Sequence, residues 1–251
     1  MAPGVNLIAL KVFTDSGSGN FGYVEQALQW VVANVATYNI VSVNMSLGDS
    51  GNWETSLSLY GIGDELAALA ALGVVTVSAA GNDYYPNHSE HDIGAQGVSY
   101  PAADPNSLAV GAVYDANVGG FTYTSGARAY TTAADRIAPF SQRHGNLTDV
   151  FAPGAIITGA NATGGTVSMH GTSQAAPHVA GAVALAQQLA MQELGRRLTP
   201  AEFTSLLVSS SVTIYDGDDE NDNVYNTGSA FLRMDVFALG EAILAAKTSP
   251  L

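Results

Sequence analysis

The 251 residues carry 22 Asp and Glu against 8 Lys and Arg, a formal net charge of −14, with 47% hydrophobic and 12% charged residues. This is a globular composition, not a disordered one, and its acidity argues against nucleic acid and anionic membrane surfaces as partners, since both are bound by basic faces. Cysteine is absent, which excludes disulfide scaffolds, zinc–thiolate and iron–sulfur centres, and thiol catalysis.

No run approaches the ~18–20 continuous apolar residues of a membrane span. Met1 to Gly4 has no basic region ahead of a hydrophobic run, so it does not read as a signal peptide. The chain runs straight into an apolar stretch, as though it began inside a domain. Residues 7–13 read as a buried strand, and residues 23–37 as a helix with Val24, Ala27, Leu28, Val31, Val32 and Val35 at helical spacing. Residues 41–47 read as a second strand, 64–72 as a helix closed by Gly73, 74–80 as a third strand and 108–113 as a fourth. Strands apolar on both faces, alternating with helices, predict a parallel α/β sheet. Residues 83–100 and 114–132, rich in Gly, Tyr, Asn and Asp, read as surface loops. Residues 173–194 form the longest predicted helix, lined in its first half with small residues. Thr199 caps a further helix with Pro200 at its first position. Residues 216–223 are an acidic loop, and residues 230–246 a closing helix. With no repeat, low-complexity tract or linker, residues 1–251 read as one domain.

Two segments have the form of chemical motifs. Gly17, Gly19 and Gly22 fit G-x-G-x-x-G between a strand and a helix, as a dinucleotide site would. However, Thr14, Asp15 and Ser16 intervene before the first glycine, and no acid stands about 20 residues on to take a ribose hydroxyl. A glycine-rich turn is the plainer reading. The second segment, residues 171–181, reads GTSQAAPHVAG and places Ser173 at the start of a helix. A serine there is most often an N-cap. It is also where a helix N-terminus favours negative charge and a backbone N–H could hold an oxyanion. Ala175 distinguishes it from the G-x-S-x-G elbow.

Residues 171–181 resemble the nucleophile motif of the subtilisin-like serine peptidases, and other blocks follow in that family's order. Residues 78–82 (SAAGN) resemble the segment whose asparagine completes the oxyanion hole. Residues 44–48 (NMSLG) resemble the strand that pairs with substrate backbone. Residues 99–102 (SYPA) resemble a wall of the specificity pocket, and residues 149–154 (DVFAPG) the stretch ahead of the nucleophile. The resemblance implies a three-layer α/β sandwich with a mostly parallel sheet and helices on both faces. It implies a serine endopeptidase acting on peptides or proteins without an organic cofactor, usually secreted. It assigns Ser173 as nucleophile and Asn82 with the Ser173 N–H as oxyanion hole. It lines the substrate cleft with Ser46, Leu47, Gly48, Ala79, Ala80, Gly81, Tyr100 and Thr172.

A serine nucleophile needs a base, and the base an orienting acid; in this family both lie upstream of the serine. None of the five histidines matches the base motif. His178 lies on the nucleophile helix in a position that the resemblance makes structural, His170 reads as a loop residue, and His88 and His91 fall in the 83–100 loop. His144 lacks the apolar helical run that follows the family's base. Asp15 imitates the acid's Asp-Ser-Gly but follows the wrong strand. The chain is therefore expected to start after the acid and base segments, to lack N-terminal strands, including one between the counterparts of 7–13 and 41–47, and to require an upstream segment for activity. Unpaired edges at that gap would cost stability. In the acidic loop, Asp216, Asp218 and Asp222 could hold calcium through hard oxygen ligands, which the resemblance favours slightly; a solvated acidic turn is the competing reading. Three functions stay open on sequence grounds: the peptidase, a non-catalytic peptide-binding or structural module, and a nucleotide-binding protein using Gly17 to Gly22.

Overall fold

The computed structural model describes residues 1–87 and 96–247. In chain order its elements are helix α1 (Phe21–Tyr38), strand β1 (Ser42–Met45), α2 (Gly63–Ala71), β2 (Val75–Ala79), the short α3 (Tyr84–Asn87), β3 (Leu108–Tyr114), β4 (Phe121–Thr122), β5 (Arg128–Ala129), β6 (Val150–Ala155), β7 (Ile157–Ala160), β8 (Thr166–Met169), α4 (Thr172–Glu193), α5 (Pro200–Ser210), β9 (Val212–Tyr215), β10 (Ala230–Arg233) and α6 (Val236–Ala245).

Six strands form one sheet in the order β1-β2-β3-β6-β10-β9. The first five run parallel, and β9 closes the far edge antiparallel to β10. Every residue of β2 and β3 is buried, as expected for a sheet covered on both faces. The alternation of side chains divides the core. Val75, Val77, Ala79, Val110 and Ala112 pack with α4, α5 and α6, whereas Ala109 and Met45 pack with α1 and α2. The predicted three layers are present.

Helix α4 runs through the centre of this arrangement. Thr172, Ala175, Ala176, Val179, Ala182, Val183 and Ala186 form its buried stripe at the spacing of one helix face. These small side chains let the helix lie close to the sheet: a Cβ on Gly154 would stand 2.8 Å from Gly171 O and 3.1 Å from Ala175 Cβ. Helix α5 starts as predicted. Thr199 accepts from the Glu202 N–H at 3.2 Å, and the Glu202 carboxylate accepts from the Thr199 N–H at 2.7 Å, a reciprocal capping box.

Three predicted elements are corrected. Residues 7–13 form no strand. Their one ladder contact is a bridge from Phe13 to Gly19, and Leu7 is 89% exposed. A strand exists only against a partner, and β1 pairs only with β2 among the described residues. Residues 230–246 divide into β10 and α6 at Asp235, whose carboxylate accepts from the Phe237 and Ala238 N–H groups at 3.0 Å. The segment 114–132 is not wholly loop, because β4 and β5 pair within it. Gly17 to Gly22 forms a self-contained turn. Thr14 N–H donates to Ser18 O, Gly17 N–H donates to Thr14 O, and Asn20 caps α1 through the Tyr23 N–H. These bonds are those of a glycine-rich turn closed on itself and capped into α1, the plainer of the two readings.

Candidate functional site

The parallel strands deliver their C-terminal ends to one place. Residues 46–48 follow β1, residues 80–83 follow β2, and the N-terminus of α4 meets them. A cleft of ≈ 220 Å³ opens there, lined by Leu47, Gly48, Ser50, Ala79, Gly81, Asn82, Asp83, Ser99, Thr172 and Ser173. Two glycines keep it open. A Cβ on Gly48 would collide with Ser99 Oγ, and one on Gly81 with Gln142 Oε1. Gly81 also has φ +113°, a conformation closed to other residues without strain.

Thr172 fixes Asn82. Its backbone N–H and its hydroxyl both donate to Asn82 Oδ1, at 2.8 and 3.0 Å, while Thr172 Oγ1 accepts from the Gly81 N–H at 3.1 Å. With the oxygen so held, the Asn82 amide nitrogen is the end left to donate, and Asn82 lines the cleft. Ser173, the second residue of α4, sits where the helix presents unpaired N–H groups and the positive end of its dipole. Its hydroxyl donates to Ser46 O at 3.3 Å, and Ser46 Oγ donates to Ser173 O at 2.6 Å. Asn44 Nδ2 in turn donates to Ser46 Oγ at 3.0 Å. A serine, an oriented amide donor and a helix N-terminus thus converge on one cleft, the combination that supports attack on a carbonyl and stabilisation of the resulting oxyanion.

Of the sequence-predicted residues, Ser173, Asn82, Thr172, Leu47, Gly48, Ala79 and Gly81 line this cleft, and Ser46 is bonded to Ser173. Ala80 and Tyr100 do not reach its surface. Both are fully buried, with Tyr100 packed against Phe21 and Tyr60 and its hydroxyl donating to Asp104 Oδ2 at 3.2 Å. Ser99 also lines the cleft, the first residue of the block expected to wall the specificity pocket; sequence reasoning missed Ser50 and Asp83. Asp83 had a signal, since it directly follows Asn82.

Asp49 was also missed, and it organises the neighbouring wall. Its Oδ1 accepts from Gly51 N, Tyr100 N and Ser99 Oγ at 2.8–3.0 Å; its Oδ2 accepts from Trp53 Nε1 at 3.0 Å and the Tyr60 hydroxyl at 3.1 Å. Burial pushes this carboxyl up, but the donors outweigh burial and hold it below its ordinary pKa. A second cleft of ≈ 340 Å³, lined by residues that include Val12, Phe21, Leu47, Gly48, Asp49, Ser50 and Tyr60, adjoins the first through Leu47, Gly48 and Ser50.

Among the described residues no histidine is bonded to Ser173. His170 packs in an aromatic nest of Phe121, Tyr123 and Phe140, with ring centroids 4.7–5.8 Å away, and burial pushes its pKa down. His178 Nδ1 lies 2.8 Å from Gln174 O one helical turn earlier. His144 Nδ1 accepts from the Asn146 N–H. His88 and His91 lie outside the described residues.

The three carboxylates considered for calcium do not converge. Asp216 is buried against Arg143, Nε to Oδ2 2.9 Å, and Asp222 Oδ1 accepts from the Val224 N–H at 3.1 Å. The carboxylates that approach one another, among the described residues, are Asp218, Asp219 and Glu220, within 4.8 Å. Two of them are already engaged: Asp219 pairs with Arg136 at 3.1 Å, and Glu220 accepts from the Gly217 and Ile137 N–H groups. The residues therefore do not fit the calcium site expected from them. No helix among the described residues is long and apolar enough to cross a membrane.

Comparison with known proteins follows the same residues. The chain is 33% identical over 185 residues to subtilisin E of Bacillus subtilis (strain 168), covering 74% of this chain and 39% of that protein. It is 34% identical over 188 residues to alkaline elastase YaB of Bacillus sp. (strain YaB), covering 75% and 39%. It is 33% identical over 185 residues to a subtilisin of Bacillus pumilus, covering 74% and 54%. It thus spans about two fifths to just over half the length of these relatives. Among solved structures, the prenylagaramide maturation protease PagA shares the fold with a TM-score of 0.66 at 23% identity, over 92% of this chain and 71% of that one. The model of the subtilase family matches residues 1–231, and the chain belongs to that family.

Proposed function

We infer that this chain carries the nucleophile-bearing part of a serine endopeptidase. The observation that carries the reading is the convergence of Ser173, at the N-terminus of α4, with the Asn82 amide that Thr172 orients. Ser173 Oγ attacks a peptide carbonyl, and acyl transfer to serine followed by hydrolysis cuts the chain. Asn82 Nδ2 and the Ser173 N–H share the charge that develops on the carbonyl oxygen. Losing one such donor typically costs ~10²–10³ in rate. Leu47, Gly48, Ala79 and Gly81 line the cleft, and a substrate segment adds along them as a strand. That mode of binding takes peptides or proteins as substrates, and the family's habit and the acidic surface suit an extracellular setting.

The base and acid come from a segment upstream of the motifs seen here. Among the described residues Ser173 Oγ rests on the Ser46 carbonyl and not on a base, which also suits a second reading, a peptide-binding module without catalysis. Fluorophosphonate labelling, read by intact mass with Ser173→Ala as control, separates the two. The peptidase reading expects no adduct on residues 1–251 alone and an adduct at Ser173 once a segment carrying the family's Asp and His is joined upstream. No adduct on the joined, folded protein overturns it in favour of the module. An adduct on the chain alone overturns the upstream-base claim.

A further inference from the structure

The two turns that carry Ser173 and Asn82 share a brace. Strands β4 and β5 form a hairpin, closed by the Tyr123 N–H on Ala127 O at 2.8 Å and the Gly126 N–H on Tyr123 O at 3.0 Å. The rings of Phe121 and Tyr123 pack on His170, which stands shortly ahead of Ser173. Gly126, in the hairpin turn, rests on Tyr85 shortly after Asn82: a Cβ there would stand 2.8 Å from Tyr85 Cε1. The hairpin is itself fastened to residues 221–223. The Tyr130 N–H donates to Asn221 O at 2.7 Å, the Asn223 N–H to Arg128 O at 3.1 Å, and the Arg128 N–H to Asn223 Oδ1 at 2.7 Å. One anchored piece of backbone thus touches both turns.

His170 is the joint on the serine side. Phe140 completes the nest around it, with ring centroids 4.7–5.8 Å away, the range in which tilted and edge-on aromatic pairs attract. Tyr123 and Phe140 are buried, whereas the imidazole is half-buried and keeps a route to water. Gly171 follows at φ +145°, and its N–H donates to Gly154 O at 2.8 Å. Thr172 comes next and gives its N–H and its hydroxyl to Asn82 Oδ1. A displacement of the His170 ring therefore reaches the Asn82 contact across one residue.

The neutral ring and the imidazolium differ in how they fit this nest. Ring faces attract a cation, yet the balance runs against the charge: burial pushes the His170 pKa down. The titratable groups on the packed elements do not offset this. Tyr123 faces the ring and stays neutral, with burial holding its pKa well above the usual phenol range. Its hydroxyl bonds that of Tyr114, which burial pushes up to about 12. The charge of Asp222 reaches Tyr114, and Asp222 itself is raised by burial to about 6. Phe121 and Phe140 carry no charge. A protonated His170 thus gains by leaving the nest for solvent.

We propose that His170 is a positioning residue for the Ser173–Asn82 pair: its neutral ring, held in the nest by the β4–β5 hairpin, fixes the turn into α4, and protonation of the ring releases that turn. The inference rests on the peptidase reading and adds to it a loss of order at the oxyanion site in mild acid.

The test is an NMR titration of isotope-labelled residues 1–251 between about pH 4 and 8, which needs no turnover. It follows a ring proton of His170, the Thr172 backbone amide and the Asn82 side-chain amide. The expected result is one shared midpoint for all three, below the ordinary histidine value of 6.5. In His170→Phe, which keeps an aromatic ring in the nest and takes no proton, the Thr172 step should vanish. Asp83, beside Asn82, and Asp222 remain in that variant, so a step of their making persists there. Asp83→Asn and Asp222→Asn give the reverse control: the Thr172 step must survive both. Thr172 and Asn82 amides that stay level while the ring titrates overturn the proposal. A Thr172 step that is unchanged in His170→Phe, or that is lost in either Asn variant, also overturns it, as does a ring midpoint at or above 6.5. Each of these outcomes leaves the peptidase reading standing, because that reading fails only by the missing adduct on the joined protein.

Discussion

The Ser46 hydroxyl replaces a helical donor that Ser173 lacks. In a regular helix Ser173 O would accept from the N–H of residue 177, but that residue is Pro177, which has none. Ser46 Oγ donates to this carbonyl at 2.6 Å, and Ser173 Oγ returns a bond to Ser46 O at 3.3 Å. The proline thus frees a carbonyl in the first turn of α4, and the segment after β1 is fastened to the helix through it. Ser46→Ala is expected to orphan the Ser173 carbonyl and cost about 1–3 kcal/mol, a fall in Tm of several °C for a chain of this size. Ser46→Thr, which keeps the donor, should recover most of it. Thermal unfolding of the two variants beside the parent decides the point; an unchanged Tm in Ser46→Ala would show that the bond contributes nothing.

Arg143 and Asp216 form a second long-range tie, both fully buried. The Arg143 guanidinium also stacks on Tyr84, 3.6 Å from the ring centroid, and donates to Ser141 O and Asn226 Oδ1 at 3.2 Å. Removing one member of such a pair strands the other charge and typically costs ~3–5 kcal/mol. Arg143→Met should therefore be strongly destabilising, while adding Asp216→Asn, which removes the stranded charge and keeps the acceptor for the Thr227 N–H, should restore part of the loss. Urea unfolding of both single variants and the double gives the coupling energy, expected to exceed about 1 kcal/mol. Additive losses would mean that the charges do not act as a pair.

Exposed apolar residues gather in one segment near the start of the chain. Leu7, Ile8, Leu10 and Phe13 face solvent, and β1 has an unpaired edge among the described residues. Open edges and apolar surface promote association between chains. Leu7→Lys combined with Leu10→Lys, two charges in this exposed apolar segment, should lower concentration-dependent light scattering of residues 1–251 and shift Tm by no more than about 2 °C, since surface changes usually stay within ±0.5 kcal/mol. Scattering equal to that of the parent would place the sticky surface elsewhere.

That segment also shows where sequence reading stops. The alternation and apolar content of residues 7–13 have the form of a strand, but strand formation depends on a neighbour, which local pattern does not report. Residues 149–154 were legible as a motif and not as the strand β6, because Pro153 and Gly154 break the usual strand composition. Strand β10 was hidden because Ala230 to Arg233 continues the apolar pattern of α6, although Asp235 marks the true helix start. The site was more legible than the fold around it. Ser173, Asn82, Thr172 and residues 46–48 sit in short motifs whose turns and helix start are local. Arg143 with Asp216, and Asp49 with its donors from residues 51–100, are pairings across long separations that no local pattern encodes.

Stability should respond to pH through carboxyls of opposite sign. Burial raises Asp149 from 3.8 to about 6, against a 2.7 Å bond from the Ala109 N–H. Burial also raises Asp222 to about 6, with the Val224 N–H and Arg143 opposing and Asp216 and Glu220 adding to the rise. The folded chain therefore holds these protons more tightly than the unfolded chain. Their contribution is fully present below about 3.8 and is lost as pH rises through about 6. Asp49 runs the other way: its pKa is lowered, so its contribution is present at neutral pH and lost on acidification. Asp149→Asn keeps an acceptor for the Ala109 N–H and removes the ionisation. Its Tm should equal the parent's near pH 4, rise above it between pH 4 and 6, and stay a few °C higher at pH 8. Asp49→Asn should behave inversely, with a Tm below the parent's at pH 8 and a gap that narrows as pH falls. Melting curves for the three proteins from pH 2 to 8 give both signs, the Asp149 difference between about pH 4 and 6 and the Asp49 difference below about 3.8; an Asp149→Asn curve parallel to the parent's would show that Asp149 titrates alike in the folded and unfolded chain.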